Sequence, residues 1–131
     1  SFGNRLLLVG DACGQNKPIT GGGIVFSMRC ATYAADIIRE AVETETYRDV
    51  FLSRYEQLWR KDIGQELKAQ FFFRKIYRNM SNEQIDELFN VIRPIFSQPR
   101  DFDYDFLSNV ISEIPKTTLI KFLIKHGKLL F

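Results

Sequence analysis

With 131 residues, of which 45% are hydrophobic and 26% charged, the chain has the makeup of a globular protein with room for one core, which excludes wholesale disorder. A formal net charge of +2, with Lys and Arg interspersed among Asp and Glu, gives no reason to expect a nucleic-acid partner. The two cysteines, Cys13 and Cys30, lie outside any CxxC or Cys/His cluster, so neither a metal site nor a disulfide framework is expected.

In chain order, residues 6–9 (LLLV) form a continuous apolar run ended by Gly10, the pattern of a short strand buried on both faces of an α/β sheet. A single strand of this kind needs partners. The chain enters it almost at once and without an initiator Met, which reads as a cut inside a larger protein. Pairing of the exposed strand edge between copies is one route to a homo-oligomer. No run approaches the roughly 20 apolar residues that span a bilayer, and the first residues lack the layout of a signal peptide, so a cytoplasmic setting is expected.

Residues 11–22 should form an irregular loop, because Gly14, Asn16, Pro18 and Gly21 interrupt both helical and strand periods. A helix is predicted over about residues 23–43, with Ile24, Met28, Ala31, Ala35, Ile38 and Val42 recurring at helical spacing. Tyr55, Trp59, Ile63, Leu67 and Phe71 then step by four along a helical segment of about residues 46–78, in which Gly64 is a weak point. Ser81 and Gln84 have the spacing of a capping box, and Ile85, Leu88, Phe89 and Ile92 are the stripe of the helix it starts, closed by Pro94 and Pro99. A short helix fits about 104–113, and Pro115 separates it from a last one at about 116–128.

Most of the conspicuous side chains have plain readings. Cys13 suits a small loop position, Cys30 a buried small hydrophobe, and His126 a surface residue. Trp59 and the Phe71-Phe72-Phe73 run read as core packing ahead of the wall of a lipid cavity. In the last segment Lys121, Lys125 and Lys128 share one helical face, with Leu119, Phe122, Leu123, Ile124 and Leu130 over much of the rest. Such a helix either lies peripherally at a membrane surface or packs on its own domain with the lysines in water.

The opening carries the chemistry. A strand ending in Gly10-Asp11 places a carboxylate at the carboxyl edge of a sheet, where it can accept hydrogen bonds from sugar-like hydroxyls. The glycines that follow allow close backbone approach, and the helix start after Gly23 offers unpaired N–H donors at a positive dipole end. These features suit an anionic or electron-rich cofactor; a purely architectural strand-loop-helix turn is the alternative.

GDACGQNKPITGGGI followed by MRCATYAADII resembles the second flavin-binding segment of FAD-dependent enzymes of the p-hydroxybenzoate hydroxylase-like superfamily, and most closely that of the geranylgeranyl reductases. Gly10, Asp11, Ala12, Gly14, Pro18, Gly21, Gly23 and Ala35 fall in step with it, and RYEQLWRKDIGQEL is similar to the helical carboxyl-terminal region of these reductases. The resemblance implies that Asp11 binds the ribityl chain of FAD, that residues 18–23 lie beside the flavin ring, and that backbone N–H groups near Gly22, Gly23 and Ile24 face its N1 and O2 region. The implied cofactor set is therefore Gly10, Asp11, Pro18, Gly21, Gly22, Gly23 and Ile24, with no catalytic residue assigned. Cys13 stands where alanine or another small residue is usual, and Gln15 to Lys17 replace a more apolar loop.

The implied activity is reduction of double bonds in geranylgeranyl chains of a prenyl lipid, with an unspecified electron donor. A GxGxxG unit is absent from the sequence, so this polypeptide by itself is expected to bind FAD poorly and to be inactive. Other FAD-dependent oxidoreductases (a monooxygenase or an electron-transfer flavoprotein dehydrogenase-like enzyme) and a non-catalytic helical lipid- or protein-binding module are the alternatives. The expected fold is mainly α. Residues 1–43 bring one short strand, a loop and a helix from an FAD-binding α/β domain, and residues 44–131 form a helical carboxyl-terminal domain.

Overall fold

The structure, a computed structural model, describes residues 1–97 and 106–126. It is mainly α, with six helices and one two-stranded sheet among those residues, divided into two compact units, residues 1–68 and residues from 69 onward.

In the first unit, β1 (Phe2–Gly3) and β2 (Leu6–Leu7) form an antiparallel hairpin, with Phe2 opposite Leu7 and Gly3 opposite Leu6. Arg5 turns the hairpin at φ 57°, donates its N–H to the Tyr47 carbonyl at 3.2 Å and sets its guanidinium 5.5 Å from the centre of the Tyr47 ring. The strand expected over 6–9 is thus shorter, and it is not buried on both faces: Leu6 and Leu8 are exposed. β1 is its sole strand neighbour among the described residues, so an apolar run suited to a sheet interior has little to bury against. The loop expected over 11–22 is more ordered at its start. A 3-10 turn covers Gly10–Cys13 and is closed by Gly14 at φ 76°, whose N–H reaches the Asp11 carbonyl at 3.1 Å.

The helix α1 (Ile24–Glu43) packs against α2 (Asp49–Asp62). Arg29 bonds Asp62 through Nε at 3.0 Å, Tyr33 donates its hydroxyl to the same carboxylate at 3.0 Å, and Arg54 reaches Glu40 at 2.6 Å. An early residue of α1 meets the end of α2 while a late one meets its beginning, so the two helices run antiparallel. Phe26, Cys30, Ala34, Ile37 and Ala41 are the buried stripe of α1; Leu52, Tyr55 and Trp59 are that of α2.

The stripe singled out in the sequence is the other one. Ile24, Met28, Ala31, Ala35, Ile38 and Val42 are all exposed, Ile24 by 79% and Met28 by 67%. α1 therefore carries two apolar faces, and α2 covers the one with the smaller residues, against which its large aromatic side chains can approach closely.

The single helix expected over 46–78 is two, because Ile63, fully buried at φ −112°, ends α2 before Gly64 opens α3 (Gly64–Tyr77). Phe71 and Phe72, expected in the core, are exposed, whereas Gln70 and Ile76 are buried. α4 (Asn82–Phe96) begins with the expected capping box: the Gln84 N–H reaches Ser81 Oγ at 3.4 Å and the Ser81 N–H reaches Gln84 Oε1 at 2.8 Å. Pro94 lies inside this helix rather than closing it. That position is tolerable because only the last turn loses a backbone bond. α5 (Leu107–Ser112) and α6 (Lys116–Lys125) follow; Pro99, Tyr104, Lys128 and Leu130 lie outside the described residues.

His126 is not a surface residue. Its side chain is 11% exposed, its ring centre is 4.8 Å from that of Phe122, and it bridges Gln84 and Glu87 at 3.0 Å each. Since Gln84 Oε1 is occupied by the Ser81 N–H, its amide nitrogen donates to Nδ1, leaving Nε2–H to donate to Glu87. Lys125 also donates to Glu87 at 2.8 Å, and hydrogen bonds from Lys125 and His126 hold that carboxyl below its ordinary range.

The two faces of α1 give opposite expectations for adjacent residues. Ile37→Ala should cost the chain about 2–4 kcal/mol in urea unfolding, whereas Ile38→Ala should change stability by about 0.5 kcal/mol or less. Equal losses would place both residues in the core.

Candidate functional site

The start of α1 and the 3-10 turn before it bring together residues 12 apart in sequence. Asp11 is exposed, and its Oδ1 lies so near Gly23 that a Cβ there would meet it at 2.6 Å and would meet Asn16 Cβ at 3.0 Å. A side chain at Gly23 would therefore displace the Asp11 carboxylate and press on Asn16, although its φ of −128° is open to any residue. Gly10 is required twice over, because it sits at φ 74° and a Cβ would come within 3.0 Å of Ser27 Oγ.

The rest of the predicted set lines the same loop. Lys17 donates its N–H to the Gly22 carbonyl and Gly21 donates to the Lys17 carbonyl, both at 2.9 Å, so residues 17–22 close on themselves. Gly21 adopts φ 72°, the Gly22 N–H reaches Thr20 Oγ1 at 3.3 Å, and Pro18 is half-buried within the loop. Ile24 opens α1 with its side chain outward, and Gly23 before it has no side chain with which to cap the helix. Its first-turn N–H groups therefore face the loop without an intrahelical acceptor.

Gln15 is the residue that sequence reasoning missed. Its side chain is fully buried, with Oε1 accepting from the Gly10 N–H at 2.8 Å and Nε2 donating to Tyr55 Oη at 2.7 Å. The Tyr55 hydroxyl in turn donates to the Leu8 carbonyl at 3.0 Å. Burial pushes the Tyr55 hydroxyl up to about 12 against the opposing effect of Gln15, so it stays protonated and able to donate. Cys13 completes the turn with Sγ 3.1 and 3.4 Å from the Leu8 and Gly10 carbonyls, the two acceptors within reach of its single S–H. Burial raises its thiol and pushes that of Cys30 up to about 12, which leaves both as neutral thiols at ordinary pH. Among the described residues no group of three or more His, Cys, Asp or Glu side chains could hold a metal ion.

An exposed carboxylate, a glycine cradle beside it and an uncapped helix N-terminus can together accept hydrogen bonds from hydroxyls and donate to an electron-rich group. Asp11 suits a hydroxyl-bearing group, and the start of α1 suits a group that gains negative charge. A separate cavity of about 510 Å³, lined by Arg5, Leu6, Leu7, Ile38, Val42 and Tyr47 among others, lies at the opposite end of α1 from this loop.

Comparison with curated proteins identifies the relatives of this chain. A digeranylgeranylglycerophospholipid reductase 2 of Methanothermobacter thermautotrophicus is 46% identical over 88 residues, covering 67% of this chain and 23% of the relative. The chain is a homologue of the geranylgeranyl reductases, matching their carboxyl-terminal part. A second such reductase, from Methanopyrus kandleri, is 38% identical over 67% of the chain and 22% of its own length. A digeranylgeranylglycerophospholipid reductase 1 of Methanococcoides burtonii is 32% identical over 108 residues, or 82% of the chain and 26% of the relative. The chain spans about a quarter of the length of the curated relatives it matches. No family model and no solved structure matches it.

The close approach of Asp11 to Gly23 is open to a mutant cycle. Gly23→Ala should destabilise the chain, and Asp11→Ala should recover part of that loss in the double variant, with a coupling of about 0.5–2 kcal/mol in urea unfolding. Strict additivity would separate the two residues.

Proposed function

We propose that this chain is the carboxyl-terminal part of a flavin-dependent reductase that saturates double bonds in geranylgeranyl chains of a prenyl lipid, and that Gly10, Asp11, Pro18, Gly21, Gly22, Gly23 and Ile24 form part of its FAD site. The observation that carries this reading is the placement of the Asp11 carboxylate against Gly23 at the uncapped start of α1. The names of its relatives supply the reaction class and the lipid.

Bound FAD would supply the redox chemistry, drawing on an electron donor that these residues do not specify. The chain's own part is to bind and orient. Asp11 accepts hydrogen bonds from hydroxyls, and the first N–H groups of α1 favour negative charge at the ring edge they face. The glycines let backbone approach the ring plane closely.

The exposed face of α1 and the apolar edge of β2 suit burial against the remainder of an α/β FAD-binding domain, of which the relatives have ample length. Strand pairing between copies of the chain is the competing way to cover β2. No helix among the described residues is long and apolar enough to cross a membrane. Among the described residues α6, with Ile120 and Ile124 exposed beside Lys121, is the segment suited to peripheral contact with lipid.

The direct test is titration of the full-length protein with FAD, followed by turnover with a geranylgeranyl lipid under reducing conditions. Asp11→Ala should weaken FAD binding by about tenfold or more, the loss of one or two charge-assisted hydrogen bonds. A full-length protein that neither binds FAD nor reduces the lipid would overturn the reading.

A further inference from the structure

We infer that Gln15 and Tyr55 are positioning residues for the cofactor half-site, forming a buried hydrogen-bond chain that fixes the Asp11 carboxylate relative to the start of α1. The inference rests on the FAD reading proposed above and extends it to two residues that touch no cofactor.

The chain has one direction and no slack. The Gly10 N–H donates to Gln15 Oε1, which obliges the Gln15 amide nitrogen to face Tyr55, and Tyr55 Oη accepts it at 2.7 Å. Accepting from Gln15, the Tyr55 hydroxyl directs its single proton to the Leu8 carbonyl at 3.0 Å. The backbone closes the ring, since the Gln15 N–H donates to the Gly10 carbonyl at 3.1 Å. Both backbone polar groups of Gly10 are thus held by one residue, and the Leu8 carbonyl, just past the end of β2, is held two residues before it. Asp11 follows directly.

What makes this more than local packing is the origin of Tyr55. It comes from the middle of α2, 40 residues away from Gln15, and α2 is itself locked to α1 through Arg29–Asp62 and Arg54–Glu40. The carboxylate of Asp11 and the N-terminus of α1 are therefore referred to the same helix. One is tied through Gly10, Gln15 and Tyr55, the other through the α1–α2 interface. Relaxing the hydrogen-bond chain frees the turn while leaving the helix pair intact.

Tyr55 and Gln15 are both at 0% exposure, where losing one partner strands the other. Tyr55→Phe keeps the ring but leaves the Gln15 amide nitrogen without its acceptor and the Leu8 carbonyl with only the Cys13 thiol. Gln15→Leu severs the chain at the loop instead. A purely structural role would lower stability without touching the cofactor; a positioning role alters the bound cofactor too.

The experiment uses the full-length protein and FAD as the probe, well below the unfolding temperature of each variant. Tyr55→Phe and Gln15→Leu should each raise the FAD dissociation constant by about tenfold, and the double variant should be no worse than the weaker single one, because each cuts the same chain. The visible circular dichroism of the bound flavin should shift in both. Leu52→Ala, which removes a buried α2 side chain outside the chain of bonds, should lower Tm with FAD affinity and flavin spectrum unchanged. Should Tyr55→Phe fail to fold, Gln15→Leu carries the same comparison. Affinities within twofold of the parent, with Tm lowered as in Leu52→Ala, would overturn the inference. A parent protein that binds no FAD would overturn the underlying functional reading instead.

Discussion

The antiparallel packing of α1 on α2 is the constraint from which the rest of the first unit follows. Arg29 and Tyr33 converge on Asp62 at one end, Arg54 meets Glu40 at the other, and the buried stripes close between them. That arrangement fixes the start of α1 relative to α2, and the residues with ligand chemistry cluster at that start. It also places Tyr55 beneath the loop, so a helix with no residue in the predicted site still shapes it.

Polar groups do the positioning here because a glycine-rich loop has few side chains with which to anchor itself to the helices. Glycines at φ 72° to 76° allow the chain to turn sharply, and the same freedom leaves the turn without side chains to pack. Gln15 makes up for that by pointing inward from the loop into an otherwise apolar interior. A buried amide is costly unless every donor and acceptor facing it is satisfied, and the three-bond chain to Gly10, Tyr55 and Leu8 meets that condition. The price of permissive backbone is thus a polar anchor at depth.

Much of this was legible in the sequence and some of it was not, for identifiable reasons. The helix start after Gly23 and the Ser81/Gln84 capping box are local signals, and each appears where residue chemistry puts it; the 3-10 turn at Gly10–Cys13 stands where a strand end and an irregular loop were expected. The covered face of α1 was misread because the helix carries two apolar stripes. Periodicity finds both; only the neighbour decides which is buried, and here α2 takes the one rich in small residues. The break at Ile63 has no proline to announce it, and Gln15 is a polar loop residue whose partner lies 40 positions on, a contact that no spacing rule encodes. Asp11 and Gly23 read as separate features, and in the fold they meet.

The central claim is that the turn at Asp11 and the first turn of α1 act as one surface for FAD. Hydrogen exchange of the full-length protein with and without FAD tests it most directly, because the first amides of α1 have no intrahelical acceptor to protect them. The account predicts slowed exchange on adding FAD at residues 10–15 and 22–26 together. Protection confined to other parts of the protein, with these amides unchanged, would contradict it.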